Sequence, residues 1–256
     1  MSKAKTTPCK TEILSMLDLM YKYLIIIMLS LLLSPSVRGQ GDIDYKQELA
    51  EALDTGFLDR YESVIRRFEL EDKERGIRKG QFVFVGSSSF RNWHHMERDM
   101  QPLSVINRGF GGSTMPEAVY YFKRIVLPYA PQAIVLYEGD NDITASFLTP
   151  ELTLQMFDLF VRMTERYLPD TPLFFVSVKP SPLRMKYFDK LLIINGKIRN
   201  YCGQNPNLHY IDITEEMYGP DGEPRKELFS RDLLHMNKEG YKLWTRIIKK
   251  VLMETI

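Results

Sequence analysis

Asp232 and His235 stand three residues apart near the end of a 256-residue chain. Far upstream, Gly86-Ser87-Ser88-Ser89 follows the apolar run 82–85. A hydroxyl at a strand end, an imidazole and a carboxylate are the parts of an activated serine nucleophile, here in the chain order Ser, Asp, His. Serine is a poor nucleophile until a base takes its proton, and His235 is the candidate base. Asp232 can accept from the other ring nitrogen and hold the tautomer. Their i, i+3 spacing places them in one turn. Each piece alone is weak, because Gly-Ser-Ser-Ser is more often a turn than a nucleophile.

Elements must bring these pieces together. Residues 44–76 predict a helix, since Leu49, Leu53, Phe57, Tyr61, Val64, Ile65 and Phe68 recur at spacings of three and four. Beyond Gly76 and Gly80, short apolar runs (82–85, 105–106, 133–137, 173–178, 208–211) alternate with amphipathic stretches (90–100, 115–126, 150–168, 184–203, 238–254). Continuous apolar runs suit strands buried on both faces. Strands separated by helices imply parallel pairing through right-handed crossovers. The expected fold is α/β: a flavodoxin-like three-layer α/β/α sandwich with a five-stranded parallel sheet ordered 2-1-3-4-5. Residues 40–80 read as a helical extension packed on a single domain over 81–256.

Ligands of such folds bind beyond the carboxyl ends of the strands, where strand order reverses. Four loops fall at that edge. They carry Gly86-Ser87-Ser88-Ser89-Phe90, Asn107-Arg108-Gly109-Phe110-Gly111-Gly112-Ser113, Glu138-Gly139-Asp140-Asn141-Asp142, and Asp232 with His235. These blocks resemble those of the SGNH/GDSL hydrolases, a family of serine esterases and lipases. The likeness runs from about Tyr61 to the C-terminus. It is nearest to exported bacterial-type members with a Trp five residues after the nucleophile, here Trp93.

The resemblance implies Ser88 as nucleophile, with Asp232 and His235 completing a catalytic triad. It also implies an oxyanion hole from the N–H of Ser88, the N–H of Gly112 and the side-chain amide of Asn141. Ser87 replaces the family's Asp, and Leu233 stands where many relatives have Gly. Both departures touch loop geometry and substrate fit. The implied activity is metal- and cofactor-independent hydrolysis of carboxylic esters through an acyl-enzyme. Short acyl or acetyl esters, of small molecules or saccharides, are the expected substrates. A flavodoxin-like phosphate- or nucleotide-binding protein is the main alternative, since a Ser-rich loop after the first strand can cradle phosphate. That reading leaves Asn141, Asp232 and His235 without a role. A non-catalytic carbohydrate-binding module is the other alternative.

Lys3, Lys5, Lys10 and Lys22 precede an apolar run over 24–33 and the small-residue stretch 34–39. That layout predicts a cleaved secretory signal over 1–39, with an uncleaved anchor as the alternative. Its loss removes five basic and two acidic residues, leaving 29 against 31, a net of −2. This balance offers no electrostatic case for nucleic acid. The expected location is exported, with no stable membrane span after cleavage. Cys9 leaves with the signal, and Cys202 reads as a buried helical thiol. His94-His95 with Glu97 fits no zinc spacing. The Asp140–Asp142 loop lacks the glycine of a calcium loop. His209 reads as structural, Trp93 as core or pocket wall, and Arg91 as a loop buttress. Lys179-Pro180-Ser181-Pro182 reads as a rigid turn at the crevice border.

Overall fold

The computed structural model describes residues 44–256, so the segment 1–39 read as a signal lies outside the described residues. The described chain opens with α1 (Tyr45–Ala52), capped by Asp44, whose carboxylate accepts from Gln47 N–H. The single helix expected over 44–76 is broken here. The chain turns at Gly56-Phe57, forms a 3-10 turn (Leu58–Tyr61) and restarts as α2 (Glu62–Arg75). The Asp54 carboxylate accepts from Gly56 N–H, a local bond that competes with helix continuation. Leu49, Leu58, Ile65 and Phe68 nevertheless bury into one core cluster. Of the seven positions read as the apolar face, Leu49, Ile65 and Phe68 are buried and Leu53, Phe57, Tyr61 and Val64 pack half-buried against the same cluster, while Leu58 lay outside that pattern and the interruption was missed.

The sheet has five parallel strands in the order β2-β1-β3-β4-β5. They are β1 (Phe82–Gly86), β2 (Val105–Gly109), β3 (Ala133–Tyr137), β4 (Leu173–Val176) and β5 (Leu208–Ile211). Every residue of β1 and β3 is buried, as expected of a sheet covered on both faces. Alternate strand residues feed two cores. Val83, Val85, Ile134, Leu136 and Phe175 join one core with α5 (Met115–Ile125), α6 (Pro150–Tyr167) and α7 (Phe188–Cys202). Phe82, Phe84, Val135, Tyr137 and Phe174 join the other, with Trp93, Trp244 and Ile248. That second face carries the short α3 (Ser88–Arg91) and α4 (Met96–Asp99), and the long α8 (Lys238–Thr255).

One helix over 90–100 was expected from the sequence, and two single turns stand there instead. Trp93 between them is fully buried against Phe84, Phe90, Tyr241 and Trp244, and its Nε1–H donates to Asp99 Oδ2 at 3.0 Å. Its bulk belongs to the core. Cys202 closes α7, buried, and burial pushes its thiol up to about 12. His209 stacks on Phe174 at 4.5 Å and burial lowers its pKa, which fits a structural histidine. Among the described residues no helix is long and apolar enough to cross a membrane.

Candidate active site

Strand order reverses at β1, which lies between β2 and β3. The register pairs Gly86 with Gly109 on one side and with Tyr137 on the other, so the loops after all three strands leave one edge together. Ser88 is the first residue of α3 and is largely buried. Its turn is held from below. Phe90 and Arg91 N–H both donate to Ser87 O, and Ser87 N–H donates to Tyr137 O. Gly86 has no alternative here, because a Cβ would sit 2.5 Å from Tyr137 O and 2.9 Å from the Phe90 ring.

The Asp232 segment closes over this turn. His235 Nε2 lies 3.0 Å from Ser88 Oγ, across 147 residues of chain. His235 Nδ1 lies 2.6 Å from Asp232 Oδ2. The other carboxylate oxygen accepts from Leu234 and His235 N–H, each at 3.0 Å. Burial pushes the Asp232 carboxyl up, but the hydrogen bonds from His235 and these backbone donors outweigh it and hold it at about 2. The imidazole therefore keeps an ionised acceptor on Nδ1, and its Nε2 faces the hydroxyl.

The tight turn between Asp232 and His235 puts Leu233 at φ 56°, in the left-handed region. A leucine there costs about 1–2 kcal/mol, which explains why glycine suits this position. Leu233→Gly is expected to raise the unfolding free energy by about 0.5–1 kcal/mol, the relieved strain being partly offset by glycine's chain entropy. Leu233→Val should lower stability, because β-branched residues tolerate positive φ least. Urea unfolding of the two variants checks this pair of opposite signs.

The other two loops meet beside Ser88. Asn141 Nδ2 donates to Ser113 O at 2.9 Å, linking the loops after β3 and β2. One amide hydrogen remains. Gly112 has φ 89°, and a Cβ there would lie 2.8 Å from the Tyr61 hydroxyl. Among the described residues the N–H groups of Ser88 and Gly112 have no hydrogen-bond acceptor, so they remain available to a ligand. The Arg91 guanidinium packs over Gly111 so closely that no Cβ would fit, as expected of a loop buttress.

Several residues hold the site through contacts that the sequence did not show. Asn107 donates to Phe90 O at 2.7 Å and accepts from Gly109 N–H at 2.8 Å, tying β2 to the nucleophile turn. Tyr241, on α8, donates to Ser89 O at 2.9 Å. Ser113 donates to the buried Glu138 at 2.5 Å. Lys179, in the segment read as a rigid turn at the crevice border, is wholly buried. Asn107, Ser113 and Glu138 lie in the blocks read from the sequence and Lys179 in the segment after β4, but their bonds cross distances that no short motif spans, and Tyr241 stood in no block.

A family model for GDSL-like lipase/acylhydrolases matches residues 79–243, more than half of the chain. The chain belongs to the GDSL-like lipase/acylhydrolase family. It is thus a hydrolase of ester bonds, and its sheet is the one read from the alternation of apolar runs and amphipathic stretches. A GDSL-like lipase from Bacteroides thetaiotaomicron superposes with a TM-score of 0.66 at 19% identity, covering 75% of this chain and 98% of that one. A family 3 carbohydrate esterase from Clostridium thermocellum gives 0.56 at 16% identity, over 70% and 98% of the two chains. An acetyl-xylooligosaccharide esterase variant from Geobacillus gives 0.57 at 12% identity, over 68% and 94%. These likenesses concern the fold. No curated protein matches the chain at a significant level.

Proposed function

We propose that this hydrolase is a serine esterase that cleaves short acyl esters through an acyl-enzyme. The reading is carried by the 3.0 Å approach of His235 Nε2 to Ser88 Oγ. In this mechanism His235 removes the Ser88 proton as Oγ attacks the ester carbonyl. Asp232 stabilises the imidazolium. The Ser88 N–H, the Gly112 N–H and the free Asn141 amide hydrogen receive the negative oxygen. His235 then returns the proton to the leaving alcohol, and water releases the acyl group by the same steps in reverse. The single-turn helix α3 begins at Ser88, so its first N–H groups also face developing negative charge.

The rim supports a short acyl group. Leu183 is 52% exposed and Leu233 36% exposed, and Leu183 N–H donates to Leu233 O, so the two stand side by side next to His235. Two leucines can cover a few methylenes, each worth about 0.8 kcal/mol when buried. Acetyl groups on saccharides fit the same reading, and the carbohydrate esterases of Clostridium thermocellum and Geobacillus share this fold. With residues 1–39 acting as a secretory signal, the enzyme would work outside the cytoplasm.

A panel of 4-nitrophenyl esters from acetyl to dodecanoyl, with acetylated xylo-oligosaccharides alongside, tests the substrate class. The expected result is a kcat/KM maximum between acetyl and butyryl, and acetate release from the saccharides. A steady rise toward dodecanoyl would place the enzyme among long-chain lipases instead. A fluorophosphonate probe is expected to label Ser88 and no other residue.

A further inference from the structure

The reading above leaves one buried charged cluster without a task. Lys179, just after β4, is 0% exposed, and its ammonium donates to Ser89 Oγ at 3.1 Å, to the Tyr137 hydroxyl at 3.2 Å and to Asp140 Oδ2. Asp140 is 2% exposed. Its other oxygen, Oδ1, is buried without a hydrogen-bond partner and faces Arg184 Nε, also buried and unpartnered, at 4.0 Å. Arg184 stands on a 3-10 turn (Pro182–Tyr187), and its Nη2–H donates to Asn141 Oδ1 at 3.3 Å. Contacts therefore run without a break from Ser89, through Lys179, Asp140 and Arg184, to Asn141. One end adjoins the nucleophile and the other is the amide proposed as oxyanion donor.

Stability does not account for this arrangement. Desolvating a lysine and a carboxylate is costly, and apolar side chains of similar volume often serve a fold as well or better. The charges also do not balance, since two cations share one carboxylate. Glu138 and Asp142 lie in the same loop and might have cancelled the excess. Burial pushes both of their carboxyls up, Asp142 to about 7 and Glu138 well above its ordinary value. Arg184 is the cation in direct contact with Asn141. The arginine also decides which way the amide points. With Oδ1 against the guanidinium, Nδ2 must face Ser113 O and the crevice; the flipped amide would set N–H groups against N–H groups.

We infer that Arg184, held by Asp140 and Lys179, is a positioning residue that aims the Asn141 amide and favours negative charge in the oxyanion pocket. The inference rests on the serine esterase reading and adds a cause for its oxyanion donor. Removing a direct donor costs about 10²–10³ in rate. Loss of the group that aims one should cost less, about tenfold.

The test compares Arg184→Met, Arg184→Lys and Ser88→Ala on 4-nitrophenyl acetate, with a trifluoromethyl ketone and the matching methyl ketone as inhibitors. Arg184→Met is expected to lower kcat about tenfold with KM changed less than twofold. Trifluoromethyl ketone, which adds to the serine and forms the oxyanion, should bind about tenfold more weakly, and methyl ketone should be little affected. Arg184→Lys keeps the charge and loses the fork, so its kcat should fall between the two. Should Arg184→Met fail to fold, Arg184→Lys decides, with kcat lowered at constant KM as the expected result. Unchanged kcat in the folded variants, or equal weakening of both ketones, overturns the inference while an inactive Ser88→Ala leaves the esterase reading standing. An active Ser88→Ala would remove that reading itself.

Discussion

Ser88→Ala is expected to lower kcat on 4-nitrophenyl acetate by about 10⁴- to 10⁶-fold. The Oγ makes a hydrogen bond to His235, and its removal takes the attacking atom away and leaves the rest of the crevice in place. Residual turnover would then come from the N–H groups of Ser88 and Gly112 and the Asn141 amide acting on a bound water. The side chain is small and sits at the head of a one-turn helix, so the fold should tolerate the change. A melting temperature within a few degrees of the parent, measured beside the kinetics, separates lost chemistry from lost structure. Retention of more than a hundredth of parental kcat would refute Ser88 as the nucleophile.

Asp232→Asn is expected to lower kcat by about 10⁴. The geometry says why an amide is worse than nothing. Asp232 Oδ1 accepts two backbone N–H groups, so an asparagine keeps its oxygen there. Its Nδ2–H then faces His235 Nδ1 across the 2.6 Å contact now made by a carboxylate oxygen. That donor forces Nδ1 to accept, which puts the ring proton on Nε2 and points it at Ser88. The base is then blocked at the one nitrogen that must take the serine proton. Asp232→Ala carries no such donor. The carboxylate side chain is 47% exposed, so water can reach Nδ1 in its absence, and the expected loss is smaller, on the order of 10². The ordering asparagine below alanine is the informative result, and alanine below asparagine would argue against tautomer control. Because Asp232 is held at about 2, its own protonation should leave the pH profile untouched above about pH 4.

Much of the fold could be read from local pattern. Strands β1 and β3 announce themselves as unbroken apolar runs, because a strand covered on both faces has no polar side to show. The strand order followed from the alternation of strands with amphipathic stretches, since crossover handedness leaves few ways to wind such a chain. The failures were local as well. The 44–76 helix breaks because Asp54 finds a backbone partner two residues away, a competition that hydrophobic spacing does not register. The 90–100 stretch divides because Trp93 is drawn under Tyr241 and Trp244, which lie some 150 residues further on.

The amino-acid sequence by itself determined the family and the sheet and singled out Ser88, Asp232 and His235 as candidates, because these depend on short blocks in a set order at strand ends. Only the tertiary structure decided that His235 meets Ser88, that Leu233 is held with φ positive, and that Lys179, Asp140 and Arg184 form one buried cluster against Asn141. The physical reason is range. Apolar periodicity and turn chemistry act within a few residues and leave a local trace. Partners of a buried charge are set by whichever distant strands the fold lays side by side, and Lys179 reaches Ser89 across 90 residues of chain.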